Sequence, residues 1–469
     1  MTIFAHIFML VEMILCLLFL LLCPVVASAT TYRVDSQSAF EQLPQPLRLT
    51  AGDRLLLKRG CTFVGTLDIE TAGSRRSRVV VGAYGRGGKP RIVAPVGARW
   101  TLRVQQPDYV SVGQLDLSCA DTVRLNGRTG LRLELANSSG GHDVRLQQLD
   151  IHDIHGSLVK RDGGGSAILV VCRGNRQPTA FDGLLIEDCT ISRCERNAMI
   201  WEAPYDRHRP DWKPSRGVVV RRNLIEYVPG DGIVPIGCDG ALIEYNLMRH
   251  CPDMLPREEA AAGFWPWSCD DTLIQYNEVS GHKAPWDGQP FDADYNCRNT
   301  TIRCNYSHDN YGGFLLVCAA GPREAPYSIG NMGTLAEKNV SINDGIRPYS
   351  TYRGEFSPAI HVAGPCLNTV IRQNIVAYDR NRFRQDADTN VVSFTDWDGY
   401  ADSTLIAHNL FYTLAPAAYS LSHSRRTTLR DNQLADRQLP LRRLLRPVKI
   451  AKGKAVVMAV RKKSERSKR

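Results

Sequence analysis

Short stretches of alternating apolar and polar residues recur along the chain, and most of them end in an asparagine. One such stretch reads Val-Val-Arg-Arg-Asn at residues 219–223, and similar copies follow at intervals of 23 to 38 residues. Looser copies end at Leu149 and Cys189. The asparagines that end the clear copies are Asn223, Asn246, Asn277, Asn305, Asn343, Asn374 and Asn409.

Each stretch is too short for a helix, and its β-branched, alternating character is typical of a strand. A second strand precedes each copy, as at residues 232–238. A constant phrase with variable spacing predicts stacked coils that carry loops of different length. The sequence therefore predicts an all-β chain that forms a single right-handed parallel β-helix, with three strands per coil. Asparagine tolerates the left-handed backbone of a tight bend, and its amide can bond to the next asparagine in a ladder.

Cysteines follow the same repeat. Cys238, Cys269, Cys297 and Cys366 each stand eight residues before a predicted ladder asparagine, and we assign Cys318 to the same position in the intervening coil. A regular column of this kind indicates small buried side chains stacked in the core, and disulfides are the less favoured interpretation. Metal binding is not indicated, because paired CxxC spacings are missing.

Counting back from each asparagine assigns side chains to the two faces of a strand. The face that is apolar in every coil should point inward, and it includes Trp265 and Trp267. The opposite face carries Phe264 in one coil and two acids, Asp292 and Asp294, in the next. Alignment on Cys318 puts Gly313 above Asp292. His361 follows two coils later, about 10 Å from Asp292.

The predicted ladder, residues 52–60 (GDRLLLKRG) and residues 80–85 (VVGAYG) together resemble the pectin-lyase-like β-helix superfamily, over roughly residues 31–425. A narrower likeness covers residues 264–269 (FWPWSC) through 305–314 (NYSHDNYGGF). This part is similar to bacterial β-helical glycoside hydrolases that include fucosidases and xylanases. The resemblance implies a carbohydrate-active protein, but the superfamily also contains lyases, epimerases and adhesins.

Two carboxylates on one strand face suit glycoside hydrolysis, in which one acid protonates the leaving oxygen and the other activates water or attacks the sugar. We therefore predict Asp292, Asp294 and His361 as catalytic residues. Long loops that enter this face carry aromatic and charged side chains suited to sugar stacking and polar contacts. The predicted substrate-binding residues are Phe264, Trp286, Asp287, His282, Lys283, Tyr352, Arg353 and Glu355.

Two other functions remain open at this stage. A uronate polysaccharide lyase would use a base such as Lys283 or Arg353, and Asp287, Asp292 and Asp294 could then hold Ca²⁺ through oxygen. A non-catalytic carbohydrate-binding or surface solenoid would need neither acids nor metal. For the favoured hydrolase, no cofactor and no metal are expected.

Composition and chain ends add the cellular context. An apolar run at residues 7–26 followed by Ala-Ser-Ala predicts a signal peptide over residues 1–29, with an uncleaved N-terminal anchor as the alternative. We expect a secreted, periplasmic or cell-surface protein. Residues 30–98 should form capping coils, 99–425 the main β-helix, and 426–469 a basic, poorly ordered tail.

The net charge of +10 comes from that tail, since residues 442–469 hold twelve Lys and Arg against one Glu, which leaves −1 for the rest. A nucleic-acid binder would carry this charge on its folded surface. We therefore expect an oligosaccharide or polysaccharide substrate, no nucleic-acid partner, no membrane contact beyond an N-terminal anchor, and a monomer.

Overall fold

The computed structural model describes residues 29–351, 358–378, 390–413 and 418–435, together with the strands Leu445–Lys449 and Val456–Val460. The chain winds into a right-handed parallel β-helix whose coils stack through three sheets, so the predicted fold is confirmed. Among the described residues there is one short helix, Gln37–Glu41, and it packs Phe40 against Phe63 of the first coil at a ring distance of 5.2 Å.

The strands of each sheet follow one another coil by coil. Sheet 1 consists of Thr31–Val34, Arg54–Lys58, Val79–Tyr84, Val110–Gly113, His142–Gln147, Asp182–Glu187, Ser215–Arg221, Leu242–Glu244, Leu273–Gln275, Thr301–Arg303, Leu335–Glu337, Val370–Arg372, Leu405–Ala407 and Thr428–Arg430. Short strands precede these in later coils, and they are Cys238–Asp239, Cys297–Arg298, Asn331–Met332, Cys366–Leu367, Ala401–Asp402 and Ser424–Arg425. Sheet 2 consists of Thr62–Val64, Arg91–Val93, Asp116–Cys119, Asp150–His155, Thr190–Glu195, Leu224–Glu226, Leu247–Arg249, Glu278–Ser280, Tyr306–His308, Val340–Ile342, Ile375–Tyr378, Leu410–Thr413 and Gln433–Ala435.

Sheet 3 is interrupted, and this interruption forms the candidate site. Its first part consists of Leu47–Thr50, Leu67–Ala72, Trp100–Gln105, Thr129–Ala136, Ser166–Arg173, Asn197–Glu202 and Ile233–Val234. Its second part consists of Phe291–Ala293, Leu315–Cys318, Ile360–Ala363, Val392–Thr395 and Tyr419–Ser420. Among the described residues, isolated bridges lie between the two parts: Ile233 to Phe264, Ile236 to Trp267, and Phe264 to Phe291. Beside them, Ala260–Ala261 pairs with Trp286–Asp287.

An asparagine ladder runs through the turn between sheets 1 and 2, as predicted. Each asparagine accepts at its Oδ1 from the backbone N–H and the side-chain amide of the asparagine before it, at 2.9–3.1 Å. The left-handed residue is the one before each asparagine, with φ of 49° to 57°, and not the asparagine itself. The prediction of Asn343 was wrong, because Asn339 occupies that rung, and Asn432 extends the ladder by one coil.

The cysteine column is buried and reduced, as predicted. Within the described residues all cysteines are free thiols, and the Sγ atoms of Cys269 and Cys297 accept N–H bonds from the coil before them, at 3.3 and 3.4 Å. The assignment of Cys318 was wrong, because Asn331 pairs with both Cys297 and Cys366 and so fills this position. Consequently Leu316, and not Gly313, lies directly above Asp292.

The register of sheet 3 also differs from the prediction. Phe264 aligns with Phe291 in the core and is fully buried, whereas Trp265 and Trp267 lie on the outer face. The prediction reversed these faces because Phe291 stands six residues before Cys297 while Phe264 stands only five before Cys269. Side chains alternate between the two faces of a strand, so one extra residue in the turn moves each side chain to the opposite face when positions are counted back from the asparagine.

The described chain ends differ in part from the predicted boundaries. Thr428–Arg430 and Gln433–Ala435 form a further coil, so the β-helix continues past residue 425. Beyond it, Leu445–Lys449 pairs antiparallel with Val456–Val460. The predicted signal peptide lies almost entirely outside the described residues. Among the residues that are described, none belongs to a helix with the length and hydropathy of a membrane span.

Candidate active site

A cleft of about 290 Å³ opens on the outer face of sheet 3, where the sheet is interrupted. Strand residues supply its floor, and the segment around Trp286 and the side chain of Lys160 enter from the sides. The residues that line this cleft are Lys160, Asp231, Ala260, Ala261, Ala262, Trp265, Trp267, Trp286, Asp287, Asp292, Asp294, Tyr295, Leu316, Cys318 and Trp397.

Asp292 and Asp294 face the cleft from one strand, as the period of two along a strand requires. Asp292 is only 3% exposed, and its Oδ1 has no hydrogen-bond partner among the described residues. Asp294 is half-buried, and its Oδ1 accepts from the Tyr295 N–H at 2.6 Å and from the Cys318 thiol at 3.2 Å. The two acids therefore differ in how well their charged forms are solvated by the protein.

Asp287 is the third carboxylate of the cleft, and the chain around it is held from below. The buried guanidinium of Arg347 donates to the backbone carbonyls of Pro285 at 2.8 Å and Asp287 at 2.7 Å. Asp287 itself has the left-handed backbone, with φ of 61°. Asp287, which sequence analysis assigned to substrate binding, therefore lies beside the predicted catalytic pair, Asp292 and Asp294.

Burial raises the pKa of all three carboxylates, and neighbouring acids add to this effect. Burial, and then the charges of Asp287 and Asp294, raise the pKa of Asp292 well above its usual value. Burial and the charge of Asp294 raise the pKa of Asp287 to about 6. Burial also raises the pKa of Asp294, against its two hydrogen bonds. The protonated forms of these three acids are therefore favoured more than that of an exposed carboxyl group.

A buried ion-pair network forms the wall next to these acids. Arg196 donates to Asp231 at 2.6 Å and to Glu259 at 2.9 Å, and it is completely buried. Burial alone would raise the pKa of Asp231, but Lys160 and Arg196 outweigh it, so the pKa of Asp231 is lowered. Asp231 therefore remains ionised beside the protonated group.

Aromatic rings surround the carboxylates. The Trp265 indole N–H donates to Asp231 at 3.1 Å, and the Lys160 ammonium lies over the Trp265 ring at 4.9 Å. Tyr295 makes edge contacts with Trp267 at 6.2 Å and with Trp397 at 6.4 Å. Flat apolar surfaces next to buried acids are the combination that sugar-binding sites use, because a sugar ring presents both C–H faces and hydroxyl groups.

The other predicted site residues differ in where the structure places them. Trp286 lines the cleft. His361 stands two coils from Asp292, as predicted, and Leu316 lies between them. The His361 ring contacts the Trp397 ring at 5.8 Å, and its Nε2 forms a hydrogen bond with Thr395 Oγ1 at 2.8 Å. The residues Tyr352, Arg353 and Glu355 lie outside the described residues.

Three expected substrate contacts are absent from the cleft lining. Phe264 lies in the core because of the register change, so its expected exposure was wrong. The His282 side chain is completely buried, with its Nε2 on the Gly230 carbonyl at 2.9 Å, and burial lowers its pKa. His282 lies in the predicted connection, between Glu278–Ser280 and Trp286–Asp287, but its ring does not line the cleft. Lys283 is exposed and is not among the cleft residues.

Sequence analysis missed Lys160, Asp231, Tyr295, Leu316 and Trp397, and it placed Trp265 and Trp267 in the core. The tryptophans could have been found by aligning the strands on Phe264 and Phe291. Lys160 comes from a glycine-rich loop, residues 160–165, that is far from the cleft in sequence, and we see no signal that would identify it.

Asp287, Asp292 and Asp294 were also considered as Ca²⁺ ligands. In the part of the chain that the structure describes, no three His, Cys, Asp or Glu side chains form a group that could hold a metal ion. The calcium alternative therefore gains no support from this donor set.

Comparison with known proteins gives one related activity. No protein-family model matches the chain. The lacto-N-biosidase of Bifidobacterium longum subsp. longum is 24% identical in an alignment of 361 positions that covers 58% of this chain and 22% of that protein. This chain thus spans about a fifth of the length of its curated relative.

Solved structures show the same fold. The native crystal structure of the GH136 lacto-N-biosidase from Eubacterium ramulus superimposes with a TM-score of 0.60 and 19% identity, over 87% of this chain and 68% of that chain. Its selenomethionine derivative gives a TM-score of 0.59 over the same shares. The predicted pectin-lyase-like β-helix is therefore confirmed at the level of the fold.

Proposed function

We propose that this protein is a glycoside hydrolase that cleaves an oligosaccharide in the cleft around Asp292. The observation that carries the proposal is that three carboxylates, Asp287, Asp292 and Asp294, line one small cleft together with tryptophan rings, and that the pKa of Asp292 is raised there. The similarity to lacto-N-biosidases supports the same reaction class and suggests a lacto-N-bioside as the first substrate to test.

Glycoside hydrolysis needs one protonated and one ionised carboxyl group on either side of the scissile bond. Asp292 suits the general acid, because burial and two neighbouring charges keep its proton at neutral pH. Asp294 suits the base or nucleophile, because it is more exposed and two donors stabilise its anion. Asp287 adds the negative charge that holds the proton on Asp292.

A uronate lyase is disfavoured by the charge of the cleft. Among the described lining residues there are four acids and one cation, Lys160, which lies 3.9 Å from Asp231 and over the Trp265 ring. A substrate carboxylate would therefore meet more negative than positive groups among the described residues of the cleft. A neutral sugar avoids this repulsion, and its ring can stack on the tryptophans.

We further propose that residues 1–29 direct export, since an extracellular or periplasmic enzyme would meet oligosaccharides there. We also propose that the protein acts as a monomer. No cofactor is required, because hydrolysis by a carboxylate pair needs only water.

The test is hydrolysis of an aryl lacto-N-bioside by the full chain, measured as release of the aryl group. Asp292→Asn and Asp294→Asn should each lower kcat about 10²–10⁴-fold, the contribution of a general acid or base. Asp239→Asn is the matched control, because this acid pairs with exposed Arg216 away from the cleft at 3.0 Å, and it should keep full activity.

The same series separates the alternatives. If Asp292→Asn is active and Asp287→Asn is not, the catalytic pair is Asp287 with Asp294 and our assignment of the acid is wrong. If all three variants keep full activity, the carboxylate mechanism is refuted. An ultraviolet-absorbing unsaturated product from a uronate polymer would show a lyase instead.

A further inference from the structure

A second, larger cavity adjoins the cleft on the outer face of sheet 3. It measures about 1120 Å³ and lies along the ends of successive strands, Thr129–Ala136, Ser166–Arg173 and Asn197–Glu202. Trp267 lines both this outer cavity and the cleft, so the two spaces share one wall. The cleft alone, at about 290 Å³, is at the lower limit of the roughly 300–1,000 Å³ that small-molecule sites occupy.

The far wall of the outer cavity is a loop, residues 203–213, that is fixed to the β-helix. Arg207, whose side chain is only 7% exposed, pairs with Asp270 at 2.9 Å and donates to the Asn296 carbonyl at 2.7 Å. The Asn296 amide in turn donates to the Tyr205 carbonyl at 2.8 Å. The cavity therefore has a preformed wall, which lowers the entropy that a ligand would lose on binding.

Three aromatic rings cluster where the two spaces share a wall. The Tyr205 ring lies 5.8 Å from Trp267 and 4.9 Å from Tyr327, and Trp267 lies 6.4 Å from Tyr327. Tyr205 is nevertheless 46% exposed, which is unusual for a ring in an aromatic cluster. An exposed ring beside a fixed tryptophan offers a stacking surface for a sugar.

Charge defines the class of sugar. The two arginines that line the outer cavity are both paired, Arg173 with Glu202 at 2.8 Å and Arg209 with Asp211 at 2.9 Å. The other charged lining residues are acids, Glu134 and Asp206. A sulfated or uronic sugar would find no free cation among these lining groups, whereas a neutral sugar needs none.

We infer that the outer cavity binds the part of a neutral oligosaccharide that extends from the cleft, with Tyr205 and Tyr327 as its stacking surface. This inference rests on the proposed function for the position of the cleaved bond. The protein then discriminates by chain length, since a single sugar reaches only the cleft and a longer chain reaches both spaces.

The test compares binding and turnover of long and short neutral sugars in the full chain. Tyr205→Ala and the double variant with Tyr327→Ala should raise KM for neutral tetrasaccharides about three- to tenfold per ring, the effect of one aromatic contact. The KM for aryl monosaccharides should be unchanged. Tyr227→Ala is the matched control, because Tyr227 is 48% exposed and stacks on His250 outside both spaces.

Binding is measured separately by calorimetry in the Asp294→Asn background, with labelled neutral tri- to hexasaccharides as probes. Weaker tetrasaccharide binding in Tyr205→Ala supports the inference even if no turnover is found, and in that case only the proposed hydrolysis fails. Equal affinity of the Tyr205→Ala and Tyr227→Ala proteins for every probe would overturn the inference. Tighter binding of uronic than of neutral probes would also overturn it.

Discussion

Two neighbouring groups of buried acids differ in how their charge is balanced. Asp231 is completely buried, yet Arg196 at 2.6 Å and the nearby Lys160 keep its pKa low. Asp292 is buried almost as completely and faces the same cleft, but its nearest charges are negative and its pKa is raised. The same β-helix thus holds one acid in a structural ion pair and another as the proton donor that we propose. Burial alone does not decide the function, because the sign of the neighbouring charge does.

The largest expected effect comes from breaking the balanced group. Arg196→Met should lower the free energy of unfolding by about 3–5 kcal/mol, because it leaves Asp231 and Glu259 buried without their counter-ion. Denaturant unfolding of the two proteins measures this difference. A loss below about 1 kcal/mol would mean that the network contributes no more than a surface ion pair.

Removing the charge of Asp292, whose neighbouring acids raise its pKa, should stabilise the protein, whereas Arg196→Met should destabilise it. Asp292→Asn should raise the free energy of unfolding by about 0.5–2 kcal/mol at alkaline pH, since it removes an acid that resists ionisation in the folded state. The same unfolding experiment, with Asp239→Asn as the control, tests this. A destabilised Asp292→Asn protein at alkaline pH would contradict the proposed imbalance.

The pH dependence of stability sharpens the comparison. The folded-state pKa of Asp287 is about 6, above its usual 3.8, so the folded chain keeps this proton to higher pH than the unfolded chain. Its stabilising contribution is complete below the unfolded pKa and is lost as pH rises through about 6. Asp287→Asn should therefore show a smaller decline in unfolding free energy between pH 4 and 7 than the unsubstituted protein. Parallel curves would contradict the shift.

These contrasts were only partly predictable from the sequence. The β-helix and its ladder were predictable because asparagine recurs at a turn that buries its amide between successive coils. The assignment of Asn343 failed because two asparagines, Asn339 and Asn343, each follow an alternating stretch and lie only four residues apart. The ladder uses the first of them. Repeats thus define the architecture better than the position of each side chain.

The candidate site was less predictable for a physical reason. Asp292 and Asp294 share a face because they are two residues apart on one strand, which the sequence states directly. The faces of Phe264, Trp265 and Trp267 depend on one extra residue in the turn before Cys297, and counting from the asparagine does not detect it. Lys160 reaches the cleft from a coil more than a hundred residues earlier than Asp292, so only the folded chain brings them together.

The smallest expected effect is a shift along the pH axis. Asp287→Asn removes a negative charge beside Asp292, so the alkaline limb of the kcat–pH profile should move to lower pH while the maximal rate is largely kept. Profiles of the two proteins with an aryl lacto-N-bioside measure this shift. An unshifted limb would mean that Asp292 is not the titrating acid, and a lost maximal rate would make Asp287 itself catalytic.

The proposed mechanism depends most directly on whether Asp292 is protonated at neutral pH, and infrared spectroscopy can observe this. The difference spectrum between the unsubstituted protein and Asp292→Asn at neutral pH should contain the C=O stretching band of a protonated carboxyl group, lost in the variant. If the difference spectrum instead shows the loss of an ionised carboxylate band, Asp292 is deprotonated and cannot be the general acid that we propose.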